Sequence, residues 1–228
     1  MTKHLFQLLQ ICDSNFPSGA FSHSFGLETY IQEDKVVDKK TFLLALKQFL
    51  QTQFVFTDGL ACRLAFEYLQ EKRLNSIWQL DHELFALAMA KETREGNRRI
   101  GRQMVKVMNE LFPNQQLETY QLKIKDKKAH GHSSIVFAVV CQGLDIELET
   151  TLSTYLFATT SSLVQNAVRG IPIGQTDGQK ILVEIQPFLN QMVKQIMNLN
   201  EEHFGAGAPG LEIAQMVHEQ LSVRLFMS

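Results

Sequence analysis

The chain has 228 residues, of which 45% are hydrophobic and 20% are charged, and its formal net charge is −2 at pH 7. This composition is typical of a globular domain with a buried core, and the charge gives no general attraction to nucleic acid or to an anionic membrane. No apolar run approaches the roughly 20 residues of a membrane span, and the opening segment is amphipathic and unlike a signal peptide, so we expect a soluble cytoplasmic protein.

The three cysteines support the same location. Cys12, Cys62 and Cys141 are odd in number, widely separated and without CxxC spacing. Such a pattern indicates reduced thiols in the cytoplasm, with neither a disulfide framework nor a thiolate zinc site.

Most of the chain repeats its apolar residues at the helical period. The first repeat places Leu5, Leu8, Leu9 and Cys12 on one stripe, and Asp38 is predicted to cap a later helix. Other stripes predict helices that include residues 42–50, 60–69, 77–87, 100–111, 148–163 and 181–196. Pro113 should end one of these helices, whereas Pro187 should kink or break another.

Two short segments have some strand character. Residues 117–125 alternate weakly, and residues 135–141 are a β-branched apolar run, but neither has a hairpin partner with turn residues. We predict that the second run is a buried helix. Residues 201–210 are glycine-rich and form the one flexible joint, which precedes a short amphipathic tail.

The predicted fold is therefore all-α: a single compact multi-helix bundle over residues 1–204, with a flexible hinge and mobile C-terminal arm over 205–228. Gly205, Gly207 and Gly210 spell G-x-G-x-x-G, but too little chain follows them to build the βαβ unit of a dinucleotide site. We interpret these glycines as a hinge.

His130 and His132 flank a single glycine and are candidate metal ligands. Imidazole is a good ligand for nickel and related metals. No third ligand lies nearby in sequence, so the two histidines are either polar residues at a helix start or part of a transient or dimer-shared metal site. The sequence leaves both interpretations open.

Arg94, Arg98 and Arg102 follow one another at i, i+4 and i+8 and therefore share a helix face. They form either a solvated face paired with Glu92 and Glu95 or a docking surface for an acidic protein. The basic balance and interleaved aromatic residues of a nucleic-acid site are both missing.

The segment from Arg169 to Gln179 contains a helix stop, a tight turn and a predicted Thr176 or Asp177 cap for the next helix. It lacks the Gly-Lys-Ser/Thr of a phosphate loop. It is either a structural junction or a junction that also binds a partner through Arg169, Gln175 and Asp177.

The C-terminal tail has apolar residues at helical spacing after the glycine joint. Val217 and Leu221 are followed by Arg224 and Phe226. A tail of this kind must either fold back on its own body or be ordered by a partner. We therefore include these four residues among the candidate partner contacts.

The opening segment Asp13–Glu28 (DSNFPSGAFSHSFGLE) is too particular for a simple connection. It has no nucleophile elbow and no acid placed to orient His23, so we predict no hydrolase and assign its serines to turns and helix caps. No catalytic residue is predicted elsewhere in the chain.

Four segments together carry a resemblance to a known family: Asp13–Glu28, Glu92–Gly101 (ETREGNRRIG), His130–His132 and Arg169–Gln179 (RGIPIGQTDGQ). In this order and at these separations, the chain resembles the UreF family of urease accessory proteins from about residue 5 onward. The resemblance implies an all-α fold and a cochaperone, not an enzyme, with no cofactor of its own.

By the same resemblance, the chain is expected to form a homodimer, to bridge UreD (UreH) and the GTPase UreG, and to dock on apo-urease, so that the complex handles nickel. Its C-terminal end is expected to bind the UreD-type subunit. Two other hypotheses remain: a helical small-molecule- or metal-binding domain using His130 and His132, and a helical DNA-binding regulator using the arginine face.

Overall fold

The computed structural model describes residues 3–227, and every regular element in that range is a helix, which confirms the all-α prediction. Met1, Thr2 and Ser228 lie outside the described residues. The start of the predicted bundle (1–204), the end of the predicted arm (205–228) and the first residues of the amphipathic opening therefore lie outside them too. Among the helices of residues 3–227, none is long and apolar enough to cross a membrane.

The helices are α1 Leu5–Cys12, α2 Leu27–Gln32, α3 Lys39–Phe49, a π-helix Leu50–Gly59, α4 Leu60–Gln70, α5 Leu74–Leu87, α6 Lys91–Leu111, α7 Gln115–Lys125, α8 Ser133–Gly143, α9 Leu148–Gly170, α10 Gln175–Asn198 and α11 Pro209–His218. Short 3-10 turns cover Ala20–Ser22 and Glu201–His203.

Helices α4 and α8 form the centre of the bundle. They pack against each other, and both are buried on nearly every side. A helix that is apolar all round belongs in the middle of a core, which explains why residues 135–141 resemble a strand in sequence. The prediction of a buried helix there is confirmed.

The long helices α9 and α10 pack side by side against this centre, and α6 and α7 cover α8. After α10 the chain returns across the body, where α11 contacts α2 and α6. The predicted bundle is thus confirmed. The tail lies against the bundle in this structure, and its mobility remains a prediction.

Local signals explain several helix boundaries. Asp38 caps α3 as predicted: its carboxylate accepts the Thr41 N–H at 2.8 Å, and the Thr41 hydroxyl accepts the Asp38 N–H at 3.0 Å. Helix α6 ends at Leu111, just before Pro113. At the junction between α9 and α10, no side chain caps α10. Its N-cap is Gly174, so the predicted Thr176 or Asp177 cap is wrong.

Two other local predictions need correction. Helix α1 buries Leu8 and Ile11, whereas Leu5 and Leu9 are exposed, so the predicted stripe was rotated. Helix α10 continues through Pro187, so the predicted alternative of a break is wrong, whereas a kink at Pro187 stays a prediction.

The π-helix between α3 and α4 has no sequence signal that we recognised. Residues 50–59 continue directly from α3 and into α4 with a wider turn, which buries Leu50, Phe54 and Val55. Such insertions of π geometry occur often at functional sites. This one carries Thr57 and Asp58 to the wall of an internal cavity.

Candidate functional site

The three predicted arginines lie on α6, and each guanidinium is held by a different partner. Arg94 donates to the carbonyls of Ala88 and Met89 at 3.1 and 3.3 Å. Arg98 forms an ion pair with Glu95 at 2.8 Å, as expected for an i, i+3 pair. Arg102 is exposed and donates to the carbonyl of His130 at 3.3 Å. The face is thus partly ordered before any partner binds.

A flat aromatic cluster lies beside these arginines. The rings of Phe85 and His130 stack in parallel with centroids 3.7 Å apart, and the guanidinium carbons of Arg94 and Arg98 lie 5.6 and 5.7 Å from the Phe85 ring. His82 Nδ1 lies 3.0 Å from His130 Nε2. Guanidinium groups beside aromatic rings are typical of protein-binding surfaces.

The pKa of His130 lies below its usual value, chiefly because the ring is buried. The charge of Asp81 opposes this shift, whereas the charges of His82, Arg98 and Arg102 add to it. A neutral His130 can share one hydrogen bond with His82. The positive charges nearby also disfavour a bound cation at this ring.

The two candidate metal ligands face different surroundings. His130 pairs with His82, whereas the buried His132 contacts Ser134 Oγ through Nδ1 at 2.8 Å and has its Nε2 3.9 Å from Asp58. Over residues 3–227 no group of three His, Cys, Asp or Glu side chains is placed to hold a metal ion. The structure thus does not bring His130 and His132 together at one site. His132 is the N-cap of α8, in line with the interpretation of a polar residue at a helix start.

The opening segment lines a cavity of about 210 Å³. Its apolar wall includes Phe16 and Phe21, and its polar wall includes Asp58, His132 and Tyr155. Tyr155 is fully buried, and its hydroxyl lies 3.1 Å from Ser133 Oγ and 3.5 Å from Asp58. The arrangement gives the segment a structural role in shaping this cavity.

Of the predicted junction residues, Arg169 alone is brought to the tail. Its guanidinium donates to the Phe21 carbonyl and lies 4.9 Å from the ring of Phe226. Gln175 is exposed, and Asp177 contacts Lys180 at 3.2 Å. The structure therefore separates the junction into a tail-binding arginine and a solvent-facing turn.

The tail folds back onto α2 and α6. Val217 and Leu221 are half-buried, Phe226 is buried, and Arg224 forms an ion pair with Glu92 at 2.5 Å. Glu92 thus binds the tail instead of the arginine face of its own helix.

The joint before the tail is itself attached to the body. Gly205 has a φ of +86° and donates its N–H to the Phe56 carbonyl at 3.0 Å, and the Ala208 N–H donates to Gln53 Oε1 at 2.8 Å. A Cβ at Gly205 would lie 3.1 Å from Leu87, so both its conformation and its packing favour glycine.

Sequence reasoning missed the centre of this contact, which is Glu28. Its side chain is 2% exposed and accepts the N–H groups of Leu225 and Phe226 at 2.5 and 3.1 Å. It also contacts His218 Nε2 at 2.9 Å, while His218 Nδ1 lies 2.9 Å from Glu92. The signal available was a glutamate at the end of the distinctive opening segment.

The folded tail leaves an apolar ridge in solvent. Phe21 is 59%, Val223 71%, Leu225 68% and Met227 52% exposed. Exposed apolar side chains next to one another indicate a protein-binding surface. The fold and these surfaces define the class of the molecule: an all-helical protein with an exposed apolar ridge and a partly ordered arginine face.

Comparisons with known proteins agree with this class and give the family. Residues 36–186 match the family model described as UreF. Relatives named urease accessory protein UreF are 56% identical in Bacillus sp. (strain TB-90), over 98% of this chain and 99% of the relative, and 51% identical in Geobacillus kaustophilus (strain HTA426), over 99% of each. A third, from Lachnoclostridium phytofermentans, is 47% identical over the full length of both chains.

The chain belongs to the UreF family of urease accessory proteins. It is an accessory protein of urease maturation and not itself an enzyme.

Proposed function

We propose that this protein is a urease maturation cochaperone that bridges UreD (UreH) and the GTPase UreG, and thereby supports GTP-dependent insertion of nickel into apo-urease. The observation that carries the proposal is 47–56% identity, over nearly the whole length, to proteins named urease accessory protein UreF. Nickel is the cargo of the complex, and the protein needs no cofactor of its own. It acts in the cytoplasm, in line with its three free cysteines.

The C-terminal segment is the surface that we assign to the UreD-type subunit. Its exposed ridge, with Val223, Leu225 and Met227 beside Phe21, offers apolar area that water covers in the isolated chain. Burying each such side chain contributes about 1.5–3 kcal/mol. A partner that takes up these tail side chains therefore gains affinity without unfolding the bundle.

The arginine face is the surface that we assign to an acidic region of UreG or of apo-urease. Planar guanidinium groups bind carboxylates in pairs of hydrogen bonds, and Arg102 is exposed and donates a hydrogen bond to the His130 carbonyl. Arg94 and Arg98 are already positioned over Phe85, which reduces the entropy lost on binding.

The protein is proposed to act as an isologous homodimer, the commonest closed arrangement of identical chains. The exposed apolar residues of α1, among them Phe6 at 83% and Leu9 at 58%, add to the apolar area available for association. Light scattering at micromolar concentration tests this directly, and a monomer there would contradict the dimer.

Size-exclusion chromatography of the protein with purified UreD and UreG tests the bridge. We expect one peak that contains all three proteins, and no joint UreD–UreG peak when this chain is omitted. Separate elution of the three proteins would refute the bridging role.

Replacing Arg94, Arg98 and Arg102 with Glu tests the arginine face. We expect assembly with the partner to weaken by at least about tenfold, because like charges then face the acidic surface. Helicity measured by circular dichroism should remain, since the apolar stripe of α6 is unchanged.

The matched control carries the same change of charge on exposed lysines at the end of α7 and just after it: Lys125, Lys127 and Lys128 to Glu. This control should assemble normally. Equal loss in both variants would mean that net charge, and not the arginine face, controls assembly.

A further inference from the structure

The buried end of α11 contains an ionisable cluster that ties the tail to the body. His218 is fully buried, with Nε2 2.9 Å from Glu28 and Nδ1 2.9 Å from Glu92. The same two carboxylates hold the tail itself: Glu28 accepts the N–H groups of Leu225 and Phe226, and Glu92 pairs with Arg224.

The hydrogen-bond geometry specifies the charge of this imidazole. An ionised carboxylate only accepts hydrogen bonds, and a neutral imidazole donates from one of its two nitrogens. With a carboxylate oxygen at 2.9 Å from each nitrogen, both nitrogens must donate, so the ring is an imidazolium. The cluster is then neutral overall: two carboxylates, one imidazolium and one guanidinium.

Loss of the proton changes the cluster sharply. A neutral ring would point a lone pair at a carboxylate oxygen inside the protein, and the cluster would carry one uncompensated negative charge. Removing one member of a buried ion pair is strongly destabilising because the remaining charge is left without compensation.

We propose that His218 is a proton-dependent lock on the C-terminal tail: its imidazolium holds the tail closed on Glu28 and Glu92, and deprotonation as the pH rises releases the tail. The proposal rests on the proposed function in one respect, since a partner that takes up the tail then binds the released state more tightly.

Two ionisable side chains beside His218, Glu92 and His23, have lowered pKa values. The pKa of Glu92 is lowered, because hydrogen bonds from His218 and Arg224 outweigh the effect of burial. The pKa of His23 is also lowered, chiefly by burial and then by the charge of Arg99. Above about pH 6.5, Glu92 is therefore ionised and His23 is mostly neutral.

Glu28 on α2 and Glu92 on α6 contact His218 directly, and His23, in the loop before α2, interacts with it electrostatically. Three further charged groups surround these neighbours: Arg99 acts on His23, Arg224 pairs with Glu92, and Glu219 follows α11. Glu219 accepts the Glu92 N–H at 3.2 Å and completes the connection to α6.

The sign of the pH dependence follows from the proton count. The closed tail binds a proton on His218 because both ring nitrogens donate to carboxylates there, whereas the solvated ring of the open tail has no such requirement. A rise in pH therefore favours the open tail, and a fall toward about pH 6 favours the closed tail.

Amide hydrogen exchange of the isolated protein measures the lock without any partner. After correction for intrinsic exchange rates, the protection of the Leu225 and Phe226 amides should fall by at least about tenfold between about pH 6 and about pH 8.5. Protection that is unchanged over this range would overturn the proposal.

Three variants separate a proton lock from mere packing. Glu92→Gln offers a side-chain N–H to the lone pair of a neutral ring, so its tail should stay protected at both pH values. His218→Gln should have an unprotected tail at both. His4→Gln, at the residue before α1, should behave as the wild type. A His218→Gln tail that keeps the wild-type pH response would refute the lock.

Binding to UreD then distinguishes the two proposals. Tighter binding at high pH, and to His218→Gln at both pH values, is expected if UreD takes the tail. If hydrogen exchange shows the lock but the affinity for UreD changes neither with pH nor with His218→Gln, the lock stands and the assignment of the tail to UreD fails.

Discussion

At the scale of single residues, one buried carboxylate organises the loop before α8. Asp81 is completely buried and accepts the N–H groups of His130 and Gly131 at 2.5 and 3.1 Å, and the Tyr120 hydroxyl as well. That hydroxyl in turn accepts the His132 N–H at 2.9 Å. Asp81 thereby fixes the loop on which the arginine face rests.

Replacement of Asp81 by Asn should reduce the free energy of unfolding by about 1–3 kcal/mol. The amide keeps one acceptor oxygen, so one of the two main-chain N–H groups then faces another donor. Urea denaturation measures this loss. A neighbouring exposed change, Glu83→Gln, should alter stability by no more than about 0.5 kcal/mol.

The thiols give a second residue-scale prediction. Burial raises the pKa of Cys12 to about 11, against a smaller lowering by its hydrogen bond with Thr154, and burial raises that of Cys141 to about 12. Cys62 is fully buried, and burial raises its pKa well above the usual value. At pH 8 the thiolate is therefore about one part in a thousand or less.

Ellman's reagent should consequently react slowly with the native protein at pH 8, whereas all three thiols should react at once in guanidinium chloride. A native thiol that reacts within seconds would mean that its site is open to solvent.

Residue patterns show why the sequence predicted some of the site and not the rest. The spacing of Arg94, Arg98 and Arg102 is a local property of one helix, and the structure does place them on one face. Glu28, Glu92 and His218 lie far apart in sequence, and only the return of α11 brings them together. No periodicity within one segment encodes such a contact.

At the scale of elements, α1 shows how a helix can be predicted while its buried face is not. Its eight residues are mostly apolar, so several rotations give an acceptable stripe. Packing on α9 selects Leu8 and Ile11 for burial and leaves Leu9 in solvent.

This difference predicts opposite outcomes for two changes on the same helix. Ile11→Ala should destabilise the protein by about 2–5 kcal/mol, because the side chain is 6% exposed and its removal leaves a cavity. Leu9→Ala should change stability by no more than about 0.5 kcal/mol. Thermal unfolding of both variants checks the orientation of α1, and the reverse order would contradict it.

The π-helix is the element that the sequence predicted least well. Apolar residues at 50, 54 and 55 fit an α-helical stripe as well as a π-helical one, and no glycine or proline marks the change before Gly59. At Gly59 a Cβ would lie 2.6 Å from Ile196, so this glycine serves the close packing of α10 on the π-helix. The wider turn thus depends on tertiary packing.

At the scale of the whole molecule, the tail combines main-chain contacts to the body with exposed apolar side chains. We expect truncation after Gly205 to leave a folded core, because the central pair α4 and α8 does not depend on α11. The truncated protein should keep a cooperative unfolding transition but fail to assemble with its partners or to activate urease.

Limited proteolysis checks the same segment in the intact protein. At about pH 8.5, where the tail is expected to open, cleavage within residues 205–210 should be fast for the isolated chain and suppressed in the complex. Equal protection in both states would make the tail a permanent part of the core. The Phe226→Ala variant loses the buried ring but keeps the joint. Its rate of cleavage should therefore lie between that of a closed tail and that of an open one.

Glu28 contacts the main chain of the tail, and so it responds to where the tail runs and not to which side chains it carries. The number of residues between His218 and Leu225 is therefore constrained more tightly than their identity. One inserted residue would place Leu225 in the buried position of Phe226 and move Arg224 away from Glu92. For the contact with Glu28, the number of residues in this segment therefore matters more than which residues they are.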